Sequence, residues 1–169
     1  ACAMASWTAG VQLGVPGASP SSIQTERPVA CRMSYTARMA ALSGANPLIV
    51  AGLSGDGERL ATARALGATH TVNIQAEPLD EVVRTLSPLG ADVVCDASGA
   101  SRPLDGALKL VAPDGQVIKV GWSPDQVPVD LNPLVQKNVR LQGSFSHNYP
   151  IWERVIHLID AGVTGASAI

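Results

Sequence analysis

Residues Pro47–Ala68 read PLIVAGLSGDGERLATARALGA, and the three parts of this stretch decide the fold. Leu48–Gly52 is a continuous apolar run with β-branched residues, the pattern of a strand covered on both faces. Glycines and Ser54 then make a turn, and Asp56 is placed to cap the helix that follows. Leu60, Ala63 and Leu66 fall on one face of that helix, and Gly67 stops it.

The same alternation extends outward in both directions. Upstream, TARMAALSGANP (Thr36–Pro47) ends a helix with an apolar face, closed by Gly44. Downstream, HTVNI (His70–Ile74) is a short strand. Leu79, Val82, Val83 and Leu86 follow at i, i+3, i+4 and i+7, a helical stripe. ADVVCDASG, from Ala91, is an apolar strand that ends in a small-residue turn. Leu104, Ala107, Leu108 and Val111 form a second stripe, and Pro113-Asp114-Gly115 a turn in which proline presets φ and glycine accepts φ > 0. Gln116–Trp122 and Val139–Phe145 are strands. Trp152, Val155, Ile156 and Ile159 make a last amphipathic helix that stops at Gly162. Strands alternating with helices specify an α/β domain with a mostly parallel sheet, and right-handed crossovers place helices on both faces.

Residues 1–34 break the pattern. Ala1 to Pro28 are rich in Gly, Ser and Pro and aperiodic, the composition of a loop, linker or leader, with a short strand around Val11–Val15. A nucleotide-binding sheet places a glycine-rich phosphate loop roughly 20 residues before such a strand, turn and helix. CRMSY (Cys31–Tyr35) stands there, and VACRMSY contains no glycine. Gly14 and Gly17 lie too far upstream for a tight strand-to-helix turn. Ser34 is the available cap for the helix start. The expected organisation is therefore an irregular leader over 1–34, an α/β domain over 35–163 and a tail over 164–169.

Composition narrows the function classes. Net charge is -2 and no basic stripe is present, which argues against a nucleic-acid partner. The longest apolar runs are far too short to span a bilayer. Cys2, Cys31 and Cys95 are scattered, with no CxxC pair and no metal-ligand spacing; that usage fits a reducing, cytoplasmic setting.

In open parallel sheets ligands bind beyond the carboxyl ends of the strands. Four such ends carry a glycine beside small or hydroxyl residues: Gly52-Leu53-Ser54, Ala97-Ser98-Gly99, Gly121-Trp122-Ser123 and Gly143-Ser144-Phe145. Glycine lets backbone approach a flat or phosphorylated ligand, and hydroxyls bond ribose or amide groups. The same glycines also serve tight βα turns; their recurrence at one edge is what points to a ligand. The acidic residue that holds an adenosine ribose in NAD-binding sheets is absent after Gly52. Ser54 and Arg59 are placed to meet a 2′-phosphate, which leans the site toward NADP. His70 and His157 read as structural or surface groups, and His147 lies nearer the ligand edge. Asp96, a polar strand end, is placed to organise the neighbouring loop, and Cys95 reads as buried packing.

The blocks ARALGATHTVN, GADVVCDASGA, LKLVAPDGQVIKVGW and LNPLVQKNVRLQGSFSHNYPIWERVIHLIDAGV stand in one order and register. Over Ala37 to Val163 they resemble the coenzyme domain of the zinc-type medium-chain alcohol and polyol dehydrogenases, in the manner of sorbitol and threonine dehydrogenases. The resemblance implies a Rossmann-like three-layer sandwich that binds NAD or NADP for hydride transfer. It implies cofactor contacts from Ala97, Ser98 and Gly99, from Val120, Gly121 and Trp122, and from Gly143, Ser144 and Phe145. It also implies a homodimer through the last strand, Arg140 to Ser144. Intact relatives carry zinc ligands in a separate catalytic domain, and nothing in Ala1 to Arg32 matches them.

The expected function is thus the NAD(P)-binding domain of a zinc-dependent alcohol or polyol dehydrogenase. The first strand and glycine-rich loop are expected to be degenerate or missing, cofactor binding weakened or lost, zinc not expected in this chain, and the chain inactive alone. The alternative is a non-catalytic remnant or dimerising interaction module. A methyltransferase would want a glycine-rich first loop and an acidic second strand end, and both are absent.

Overall fold

The computed structural model describes residues 4–7, 30–98, 103–122, 126, 128–144 and 149–164. Its elements are β1 (Met4–Trp7), α1 (Ala30–Leu42), β2 (Leu48–Gly52), a 3-10 turn (Ser54–Asp56), α2 (Gly57–Ala65), β3 (His70–Asn73) and α3 (Leu79–Leu86). Then come β4 (Ala91–Asp96), α4 (Pro103–Leu110), β5 (Val111–Lys119), α5 (Asn132–Gln136), β6 (Arg140–Gly143) and α6 (Tyr149–Asp160). All six strands join one sheet in the order β3-β2-β1-β4-β5-β6, and every pairing is parallel. This is the doubly wound order whose direction reverses between β1 and β4.

Period-two alternation in β2 builds both cores. Ile49 and Ala51 face one layer, with Leu79 and Val83 of α3 and Leu104, Ala107 and Leu108 of α4. Leu48 and Val50 face the other, with Ala37 and Ala40 of α1 and Ala63 of α2. Each fully buried Val, Leu or Ile contributes about 1.5–3 kcal/mol relative to exposure. The α1–α2 layer is thin because alanines line it, and its tolerance is small. Gly67 has φ +115, and a Cβ there would lie 2.6 Å from the Ala41 methyl.

The first strand is present, short and atypical. Met4–Trp7 pairs with Leu48–Ala51 on one side and Val93–Asp96 on the other, in the central slot of the sheet. MASW has no β-branched residue and only four positions, so it gives no strand signal, and the sequence reading placed it within an irregular leader. Helix α1 starts at Ala30, not at Tyr35, so CRMSY is its opening turns and Ser34 is inside the helix rather than its cap. Nothing in CRMSY breaks a helix, since Pro28 is the last proline before it. The expected strand at Val11–Val15, Gly14 and Gly17 lie outside the described residues.

Two further boundaries differ from expectation. Pro113-Asp114-Gly115 does not separate helix from strand; it is an irregularity inside β5, between the Ala91–Val111 and Val93–Gln116 pairings. Asp114 takes φ +57 there and is fastened by Asn138, whose amide donates to its carboxylate at 2.6 Å. Val111 is therefore strand, and β5 ends at Lys119 before Val120-Gly121-Trp122. Helix α5 was not anticipated: Asp130 accepts from the Asn132 backbone N–H at 2.9 Å and opens it, with Pro133 in the first turn.

Candidate functional site

Parallel alignment brings the carboxyl ends of β2, β3, β4, β5 and β6 to one edge of the sheet. Asp96, the last residue of β4, is the centre of this edge. Its side chain is 0% exposed although it carries a carboxylate. Burying a charge without partners is expensive, and Asp96 has them. One oxygen accepts from the Ser98 backbone N–H at 3.0 Å and the Ser98 hydroxyl at 2.6 Å. The other meets Lys119 Nζ at 2.7 Å. The main-chain oxygen of Asp96 accepts from both Val120 and Gly121 N–H at 2.9 Å. One residue thus fastens the turn after β4 to the turn after β5.

The next link is Lys119. Its main-chain oxygen accepts from Ser144 N–H at 2.9 Å, which ties the end of β6 to the same unit. Of the expected site residues, Ser98, Val120, Gly121 and Ser144 are joined by this network, and Ala97 lies in the turn that Ser98 closes on Asp96. Ala97 and Gly121 are buried and Ser98 and Val120 half-buried. Gly143 and Ser144 are exposed, and a Cβ at Gly143 would meet nothing within 4 Å. Trp122 stands 69% exposed beyond the β5 turn. Gly99 and Phe145, also expected here, lie outside the described residues, as does His147.

Gly52, Ser54 and Arg59 form a separate group on the far side of β1. The Gly52 carbonyl accepts from Ile74 N–H at 3.0 Å, locking β2 to the turn after β3. Ser54 is exposed; its N–H donates to Gln75 Oε1 at 2.9 Å, and the Asn73 amide donates to its hydroxyl at 3.1 Å. Asp56 turns away from this rim. It is 3% exposed, accepts from Leu53 N–H at 2.8 Å and pairs with Arg59 at 2.5 Å. Arg59 is therefore already committed to a carboxylate, and the rim consists of neutral hydroxyl and amide groups. Asp56 caps no backbone N–H of α2, contrary to the sequence expectation, because its carboxylate faces back to Leu53 instead.

Lys119, Asn73 and Gln75 are the residues that sequence reasoning missed. A lysine in the otherwise apolar strand QVIKVGW, beside a neighbouring strand ending in aspartate, is the signal that would have found the first. Cys95 packs beside Asp96, and its thiol is pushed up to about 11 by burial first and the Asp96 charge second. Such a thiol is inert near neutrality. His70 Nδ1 lies 2.9 Å from Thr69 Oγ1 in the strand edge, and His157 is exposed on α6.

A groove of about 650 Å³ lies elsewhere, among α3, α4 and α5, lined by Leu79, Arg84, Leu110, Pro133 and Lys137. Lys137 donates to the carbonyls of Leu108, Lys109 and Val111 at 3.2, 2.8 and 3.0 Å, an ammonium closing the end of α4. This groove touches the end of β3 at Ile74 but is lined by none of the expected site residues. Among the described residues no three His, Cys, Asp or Glu side chains gather as a metal site. No helix among them is long and apolar enough to cross a membrane.

Comparison with known proteins agrees with the fold. Residues 34–161 match the family model for zinc-binding dehydrogenases. The chain is 36% identical over 117 residues to D-arabitol-phosphate dehydrogenase of Enterococcus avium, covering 68% of this chain and 33% of that protein. It is 32% identical over 123 residues to L-threonine 3-dehydrogenase of Bacillus velezensis, covering 71% and 35%. The chain thus spans about a third of the length of these curated relatives. Among solved structures, a zinc-binding dehydrogenase of Sinorhizobium meliloti 1021 bound to NADP superposes with a TM-score of 0.75 at 22% identity. It covers 96% of this chain and 42% of that one. The alcohol dehydrogenase of Thermus sp. ATN1 gives the same TM-score and identity, over 96% and 41%.

Proposed function

Because the chain belongs to the zinc-binding dehydrogenase family, we propose that its sheet edge binds a nicotinamide dinucleotide and serves hydride transfer to or from an alcohol or polyol. The observation that carries this reading is the Asp96 network beside the reversal point of the sheet, where the ends of β4, β5 and β6 are held as one surface. The nicotinamide half is assigned to Ala97, Ser98, Gly99, Val120, Gly121, Trp122, Gly143, Ser144 and Phe145. The adenosine half is assigned to Gly52, Ser54 and Arg59, now with Asn73 and Gln75.

NADP is the preferred form. An NAD ribose wants a carboxylate acceptor, and Asp56, the carboxylate that follows Gly52, is buried and spent on Arg59 and Leu53. Ser54, Asn73 and Gln75 at the rim are neutral. A phosphate loop in this sheet would join β1 to α1, and residues 8–29, which make that connection, lie outside the described residues. When bound, the cofactor supplies the hydride chemistry at its nicotinamide ring. The residues of this chain hold it, orient it and present its open face. The free, buried Cys95 fits a reducing, cytoplasmic setting.

The four residues of β6 are exposed along the sheet edge, which supports pairing of two copies through Arg140 to Ser144. Light scattering should give twice the chain mass, and Gln142→Pro should return it to one. For the cofactor, calorimetric titration with NADPH and NADH tests the reading. Binding of NADPH with the weaker affinity for NADH supports it; heat from neither cofactor overturns it, and a dimer without cofactor binding leaves the interaction module.

A further inference from the structure

The Asp96–Lys119 pair does more than join two turns. Asp96 is wholly buried, and the Lys119 side chain is 19% exposed. They end β4 and β5 and directly precede the turns Ala97-Ser98 and Val120-Gly121-Trp122, which Asp96 fastens through Ser98, Val120 and Gly121. As a pair they carry no net charge. A lone charge in either position would present a full unit charge beneath those turns, in a region water reaches poorly.

Resting on the cofactor reading above, we propose that Asp96 and Lys119 are positioning residues that hold the nicotinamide-facing turns electrically neutral and so balance oxidised against reduced cofactor. The chemistry is simple. The oxidised nicotinamide ring carries a positive charge and the reduced ring carries none, so only the oxidised form feels an uncompensated charge in the floor. A unit charge acting over about 10 Å at an effective dielectric of about 20 changes such an equilibrium by roughly tenfold. A neutral pair contributes only a dipole, and the two forms bind with similar affinity from this source.

The experiment is a titration of the 169-residue chain with NADP+ and with NADPH at pH 8 and low salt, read as the ratio of the two dissociation constants. Lys119→Met leaves the Asp96 carboxylate alone, and the ratio should move toward tighter NADP+ by roughly tenfold. Asp96→Asn leaves the ammonium alone and should move the ratio the opposite way. Lys119→Arg keeps the charge and should leave the ratio within about twofold of the parent. ADP-ribose, which lacks the ring, should bind Lys119→Met and the parent alike. If Asp96→Asn does not fold, Lys119→Gln repeats the first arm with a polar neutral side chain. Opposite shifts, or the paired shift of Met and Gln variants against an unmoved Arg variant, support the proposal. Shifts in one direction for both charge deletions, or none, overturn it and leave cofactor binding standing. A parent chain that binds neither form removes the cofactor reading itself, and this inference with it.

Discussion

Lys119 Nζ and Asp96 Oδ2 stand 2.7 Å apart across β4 and β5, with the carboxylate wholly buried and its second oxygen taken by Ser98. Breaking a buried pair strands a charge and typically costs about 3–5 kcal/mol. Lys119→Met should fall at the lower end of that range, because two Ser98 donors still serve Asp96. Urea unfolding monitored by far-UV circular dichroism measures it. A change below about 0.5 kcal/mol would mean that the pair is solvent-screened like a surface ion pair.

Gly90 precedes β4 with φ +106, and a Cβ there would run into the Leu110 carbonyl and sit 3.0 Å from Ala112 N. Left-handed backbone and overpacking act together at this position. Gly90→Ala should destabilise by about 2–5 kcal/mol. Gly55, with nothing within 4 Å of its would-be Cβ, is the control, and Gly55→Ala should stay near the parent stability in the same unfolding assay.

The Cys95 thiol is raised from 9.0 to about 11 by burial and by Asp96. Between those values the unfolded chain gives up the proton while the folded chain keeps it, so the folded state binds more protons and stability falls as pH rises. The contribution is present below pH 9 and lost towards 11, about 2–3 kcal/mol in all. Cys95→Ala should flatten that slope between pH 8 and 10.5 relative to the parent. Parallel slopes for the two proteins would contradict the burial account.

How much of this was legible in the sequence depends on how each residue makes its signal. LIVAG and the stripe Leu79, Val82, Val83, Leu86 declare themselves because apolar periodicity and burial coincide there. Met4–Trp7 could not, since a four-residue central strand owes its place to two neighbours and not to its own propensity. The β5 irregularity read as a turn because Pro113-Asp114-Gly115 has turn chemistry; only the pairing with β4 shows that the strand runs through it. In the site, small residues at strand ends were visible one by one. Their fastening by Asp96 was only partly so, because the partner Lys119 is 23 residues away and looks like an ordinary strand residue.

Cofactor preference rests on the neutral corner at Ser54, Asn73 and Gln75. Ser54→Asp places a carboxylate where the 2′-phosphate is assigned, and like charges brought together in this way cost several kcal/mol. NADPH affinity should fall by at least roughly tenfold while NADH affinity holds or improves. Fluorescence titration of both reduced cofactors reads the change; an equal loss for both would place the ribose elsewhere.

Trp122 offers the most direct view of the proposed nicotinamide surface, because it stands 69% exposed beside the turn that Asp96 holds. Tryptophan emission overlaps the absorption of reduced nicotinamide, so excitation of the protein reports proximity of the ring. The measurement is energy transfer from tryptophan to NADPH in the full chain, in the parent and in Trp122→Phe. The account predicts a saturable transfer signal that drops in Trp122→Phe while NADPH still binds by calorimetry. Undiminished transfer in Trp122→Phe, or no transfer in the parent at cofactor concentrations that saturate calorimetric binding, would contradict it.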